Sequence, residues 1–84
     1  MKKTIKQYIL ENFLFTEDES VLKDSDSFLD TGIIDSTGVL EIILFIEETF
    51  GIKVNDDEMF PANLDSVDNL TDFVQRKQAQ AVAA

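Results

Sequence analysis

Residues 32–51 read GIIDSTGVLEIILFIEETFG, and this stretch decides the fold. Val39, Ile42, Ile43, Ile46 and Phe50 recur at intervals of three and four, the spacing of one helix face. Leu40, Glu41, Leu44, Glu47 and Glu48 fall on the opposite side. Asp35 is a good N-cap, because its carboxylate can accept a first-turn N–H. Gly51 suits the position just past a helix end. A helix is therefore expected from Asp35 or Ser36 to Phe50. Gly32 is expected to permit a tight approach of the preceding loop, with Ile33 and Ile34 anchoring it.

Working outward, Ile5, Tyr8, Ile9 and Phe13 predict a first helix over about Thr4 to Leu14, with Thr4 and Gln7 fitting a capping box. Thr16 to Asp35 shows no sustained period and is rich in Asp and Ser. A loop of that length is uncommon in a small domain and is more often functional than idle. Its Val21, Leu22, Phe28, Leu29, Ile33 and Ile34 can tack it to a core through short helical turns. Ile52 to Val54 has no strand partner and reads as loop. Asp56, Asp57 and Glu58 suit the first turn of a brief helix that Pro61 disturbs. Val67, Leu70, Phe73 and Val74 predict a last helix over about Ser66 to Gln78. The fold class is all-α: a small bundle of three main helices plus a short helix, with a long loop between the first and second helices. Residues 1–78 form the one expected domain, and 79–84 an Ala-rich frayed tail.

Composition narrows the chemistry. The chain has 84 residues, of which 44% are hydrophobic, so it should fold, but around one modest core. It has no Cys, which excludes disulfides, thiolate metal sites and a cysteine nucleophile. It has no His, so no Ser–His or Cys–His catalytic unit can be built. Carboxylate-pair chemistry would need a cleft that so small a domain seldom has. No catalytic residue and no metal ligand set is assigned. Asp24, Asp26 and Asp30 hint at a calcium loop, but the sixth position from Asp24 is Leu29 where that loop requires Gly.

The net charge of -10 argues against nucleic acid and anionic membranes and favours basic protein partners. Between Lys23 and Lys53 there are seven acids and no base. No run approaches a membrane span, and Lys6, Gln7 and Glu11 interrupt any signal-like segment, so a cytoplasmic monomer is expected.

Asp-Ser occurs four times, at 24–25, 26–27, 35–36 and 65–66. Only Asp35-Ser36 follows Gly-Ile-Ile and opens a helix carrying an apolar-acidic stripe. A helix N-terminus tolerates a phosphate group through its unpaired N–H groups and positive potential. Ser36, Leu40 and Leu44 stand one turn apart on one face, so a partner gripping that face would find the serine at its tip. Glu41, Glu47 and Glu48 flank the stripe and could steer a basic partner into register. The plainer readings are that Ser36 only caps a helix, that the glutamates form a solvated face, and that Leu40 and Leu44 pack under the loop.

Gly32-Ile33-Ile34-Asp35-Ser36, Glu41, and Ile46-Glu47-Glu48-Thr49-Phe50-Gly51-Ile52 resemble the acyl carrier protein family, and the similarity runs from the first helix to Val74. The resemblance implies that Ser36, presented by Asp35, receives 4′-phosphopantetheine from coenzyme A through a phosphopantetheinyl transferase. The arm's thiol would then carry acyl thioesters, an imported sulfur in a chain without Cys. Leu40, Glu41, Leu44, Glu47 and Glu48 match the family's docking helix. The implied partners are the transferase, an acyl-loading ligase or transferase, and synthases or acyltransferases with basic docking patches. Thr37, Gly38 and Phe45 depart from the family pattern, and Thr37 and Gly38 are expected to weaken the first turn. They suggest a specialised, free-standing member. The alternative is an acidic helical adaptor that binds basic partners without a prosthetic group.

Overall fold

The computed structural model describes residues 1–83, with side chains as far as Gln80. Five α-helices are joined by three short non-α helical turns, and there is no strand among the described residues. Helix α1 spans Lys2–Ile9, α2 Phe28–Thr31, α3 Ser36–Phe50, α4 Pro61–Leu64 and α5 Val67–Ala83. Three of these are long and two are single turns. The expected all-α bundle with a long first connection is what forms.

Helix α3 takes the bounds its caps and periodicity predict. Ile42, Ile43 and Ile46 are buried beneath it. They meet Ile5, Ile9 and Leu10 of the first helical segment and Leu70, Phe73 and Val74 of α5 in one core. Full burial of such a side chain contributes about 1.5–3 kcal/mol. Phe28 and Leu22, from the long loop, lie in the same core.

The first helix is not uniform. After Ile9 it widens into a π-helical turn over Leu10–Leu14. That turn ends at Phe15, whose backbone is left-handed at φ 54°. Periodicity does not distinguish a π turn from an α turn over five residues.

The long loop is fastened at several points. The Asp65 carboxylate accepts hydrogen bonds from the Leu29 amide at 3.0 Å and from the Ser27 hydroxyl. The Asp65 carbonyl accepts the Phe28 amide at 2.9 Å, and the Asp24 carbonyl accepts the Asp68 amide at 3.0 Å. Lys6 and Lys2 reach Asp24 at 3.1 and 3.8 Å, and Lys2 reaches Asp68 at 2.7 Å. Asp24 is thereby ion-paired to α1. Gly32 has a left-handed φ of 73° and open space where a Cβ would stand. Its role is to turn the chain out of α2, not to allow the close approach expected of it.

Pro61 does not disturb a helix begun at Asp56. Asp56–Glu58 is a separate 3₁₀ turn, and Pro61 opens α4. Proline fits a first helical position because its missing N–H would have no partner there. The last helix runs to Ala83, beyond the expected end at Gln78. The tail expected over 79–84 lies partly outside the described residues.

Candidate functional site

The start of α3 is set by Asp35. Its backbone is extended, and its carboxylate accepts the Gly38 amide at 2.8 Å. Ser36, the next residue, is exposed. The other Asp-Ser pairs are arranged differently. Ser27 caps α2 by accepting the Asp30 amide, and Ser66 is buried and accepts the Asn69 amide at 3.0 Å. Ser25 sits in a turn. Ser36 is thus an exposed serine at the head of a fifteen-residue helix whose cap is supplied by its neighbour.

Beside Ser36 lies an apolar cleft of about 280 Å³. Leu40, Val39 and Ile43 form the α3 wall, and Met59, Phe60 and Leu64 face them from the α4 side. The far wall is held by polar contacts to α5. Glu58 accepts the Asn55 amide at 3.0 Å and the Lys77 ammonium at 2.8 Å. Asn63 donates to the Glu58 carbonyl at 2.9 Å and accepts from Arg76 at 2.9 Å. The Lys77 hydrogen bond, reinforced by the Asn55 amide, holds the Glu58 carboxyl below the usual range.

Leu40 and Leu44 are 57% and 58% exposed, so they do not pack under the loop. Glu48 is exposed near them, one turn beyond Leu44. Glu41 is exposed but lies toward α1. Its carbonyl accepts the Tyr8 hydroxyl at 3.4 Å. Burial, followed by the charge of Glu41, pushes the Tyr8 hydroxyl up.

Glu47 corrects the expectation of a uniform acidic flank. Its carboxylate accepts the amide of Val54 at 2.9 Å and is partly buried. It fastens the segment after α3 instead of projecting to solvent.

Gly38 and Phe45 also differ from the sequence reading. Gly38 is buried, and a Cβ there would stand 2.7 Å from Ile34 Cγ2 and 3.0 Å from Phe13 Cε1. It therefore admits the π-helical turn and the Ile34 loop against the first turn of α3, a packing role beyond the weakening expected of it. Phe45 stacks on Tyr8 with ring centroids 3.8 Å apart, tying α3 to α1. Met59 and Phe60 were missed as site residues. They are 38% and 47% exposed on the cleft rim. A Met-Phe pair directly before a proline that starts a helix was the available signal.

The site is thus an exposed serine at the head of α3, an apolar cleft beside it, and the exposed Leu40 and Leu44 behind it. The chain belongs to the phosphopantetheine attachment site family, whose model matches residues 4–74. It is 36% identical over 77 residues to the D-alanyl carrier protein of Streptococcus uberis, covering 89% of this chain and 96% of that one. The D-alanyl carrier protein of Streptococcus pyogenes serotype M1 matches with the same identity and coverage. A solution NMR structure of holo acyl carrier protein from Nitrosomonas europaea superposes with a TM-score of 0.73 at 28% identity, covering 93% of this chain and 95% of that one.

The protein is a phosphopantetheine-bearing acyl carrier, and the adaptor alternative is not favoured. The prosthetic group fits what is present: an exposed serine at a helix N-terminus that favours phosphate. Membership implies a phosphopantetheinyl transferase and acyl-handling enzymes as partners. Carrier proteins are generally non-catalytic. No described helix is long and apolar enough to cross a membrane.

Proposed function

We propose that Ser36 is the residue that bears the arm, that Asp35 presents it, and that the face formed by Leu40, Leu44 and Glu48 docks successive enzymes. The observation that carries this reading is the disposition of the serines. Ser27 and Ser66 are occupied as helix caps, whereas Ser36 stands exposed beside the apolar cleft. In the attachment step, Ser36 Oγ attacks the phosphorus of coenzyme A that bears the pantetheine. The Oγ–phosphorus bond forms as the bond from that phosphorus to the adenosine bisphosphate breaks. The serine proton passes to a base supplied by the transferase. When bound, the arm supplies the thiol on which acyl groups travel as thioesters.

Asp35 has a positional task. By capping α3 through the Gly38 amide, it fixes the first turn and so the direction of the neighbouring serine. Glu41 is a peripheral contact on the α1 side, and Glu47 contributes through the stability of α3's far end. The chain acts as a cytoplasmic monomer without catalysis of its own. Loading enzymes and downstream synthases or acyltransferases would approach with basic patches, drawn by the net charge of -10.

The curated relatives are D-alanyl carrier proteins, which favours a D-alanyl group as cargo here. A charged amino acid would stay at the arm's end in water, because an ammonium group is costly to bury in an apolar cleft.

Intact mass after incubation with coenzyme A, magnesium and a permissive phosphopantetheinyl transferase tests the attachment. One phosphopantetheine increment is expected, absent in Ser36→Ala. An increment that persists in Ser36→Ala would overturn the assignment. The mass of the acyl group on protein recovered from its native cells tests the cargo.

A further inference from the structure

We propose that Gly38, Phe13 and Ile34 form a positioning contact that sets where Ser36 stands, and that this contact tunes the rate of arm attachment rather than partner affinity. The inference rests on Ser36 being the attached residue.

Gly38 lies in the first turn of α3, two residues after Ser36, and is buried. Its amide is held by the Asp35 carboxylate at 2.8 Å. On its other side the space for a side chain is already filled. A Cβ would meet Ile34 Cγ2 at 2.7 Å and Phe13 Cε1 at 3.0 Å. Ile34 is 2% exposed and β-branched, so the χ1 rotation that would swing Cγ2 aside also drives its other branch against the packed core. The first turn is therefore clamped between the Asp35 cap and two apolar side chains.

Phe13 is brought there by the π-helical turn over Leu10–Leu14. Its ring also meets Tyr8 edge-on at 6.0 Å, and Tyr8 stacks on Phe45. The clamp is thus continuous with the aromatic packing that joins α1 to α3. A methyl at position 38 would push the first turn away from this packing. Ser36 would move with it, while Leu44 and Glu48, further along α3, would keep their places.

Displacement chemistry at phosphorus depends steeply on the position of the attacking oxygen. Misplacement on the order of 1 Å can reduce a rate about 100-fold. Docking, which uses the later turns, should change little. The expected signature is a fall in kcat with KM nearly unchanged.

The experiment is steady-state phosphopantetheinylation by a permissive transferase, with this protein as the varied substrate, at a temperature where far-UV circular dichroism shows each variant folded. Gly38→Ala should lower kcat about ten-fold with KM within about two-fold. Phe13→Leu alone should lower kcat a few-fold, because the turn loses its backstop. In Gly38→Ala/Phe13→Leu the shortened side chain gives Ile34 and the new methyl room, so kcat should exceed that of Gly38→Ala alone. An unchanged kcat in folded Gly38→Ala, or a loss carried wholly by KM, overturns the proposal. A double variant no better than Gly38→Ala does the same. Should Gly38→Ala fail to fold, Phe13→Leu decides: wild-type kcat overturns the proposal, and a lowered kcat at constant KM supports it. Modification that survives Ser36→Ala would instead remove the underlying assignment, so the two failures are distinguishable.

Discussion

The Glu47 carboxylate accepts the Val54 amide at 2.9 Å, bridging the last turn of α3 to the chain that leads toward the cleft's far wall. Val54 is 5% exposed, so few other partners are available to its amide. Removal of a buried donor's partner costs about 1–3 kcal/mol. Glu47→Ala should therefore lower the melting temperature by several degrees, at about 4–8 °C per kcal/mol for a domain this size. Glu47→Gln keeps an acceptor and should lose less. Thermal denaturation of the two variants checks both statements.

Leu44 and Glu48 should behave in the opposite way. Both are exposed, and substitutions at such positions usually change stability by no more than about 0.5 kcal/mol. Leu44→Ala should melt near the wild type yet raise the KM of the phosphopantetheinyl transferase. Glu48→Lys should slow association, with the difference shrinking as salt screens the charge. Stopped-flow association at two ionic strengths provides the measurement.

Phe15 holds a left-handed backbone at φ 54° and is 83% exposed. That conformation costs an L-residue about 1–2 kcal/mol, and glycine adopts it freely. Glycine also makes the unfolded chain more flexible, which offsets part of the gain. Phe15→Gly should still stabilise the fold by about 0.5–1 kcal/mol, read as a raised melting temperature.

Glu58 and Lys77 give a pH-dependent link between the cleft wall and α5. The Glu58 carboxyl is depressed in the folded state, first by the Lys77 hydrogen bond and then by the Asn55 amide. Its contribution is therefore present above the ordinary carboxylate value and is lost as pH falls through the lowered one. Lys77→Met should reduce the melting temperature at neutral pH, by an amount equivalent to about 1 kcal/mol or less. The gap from wild type should close on the acid side, once Glu58 is protonated in both proteins. Melting curves across an acid series would show this, and a gap independent of pH would contradict it.

Much of the architecture was legible locally. Asp35 caps the first turn of α3, and the Val39, Ile42, Ile43, Ile46 spacing carries the helix to Phe50. Those signals act within one or two turns, so they survive without knowledge of the rest of the chain. The long loop was legible as tacked down, through Leu22, Phe28 and Ile34. That Asp65 is what fastens it was not, because the partners lie 36 and 38 residues apart.

By itself, the sequence determined an acidic, His- and Cys-free helical chain with a serine at the head of its central helix, because composition, capping and periodicity are local properties. Only the tertiary structure decided how that serine is surrounded. It turned Glu47 inward to Val54, set Met59 and Phe60 opposite Leu40, and pressed Phe13 and Ile34 against Gly38. Each of these depends on where separate segments meet in space, and helical periodicity cannot report the distance between two helices.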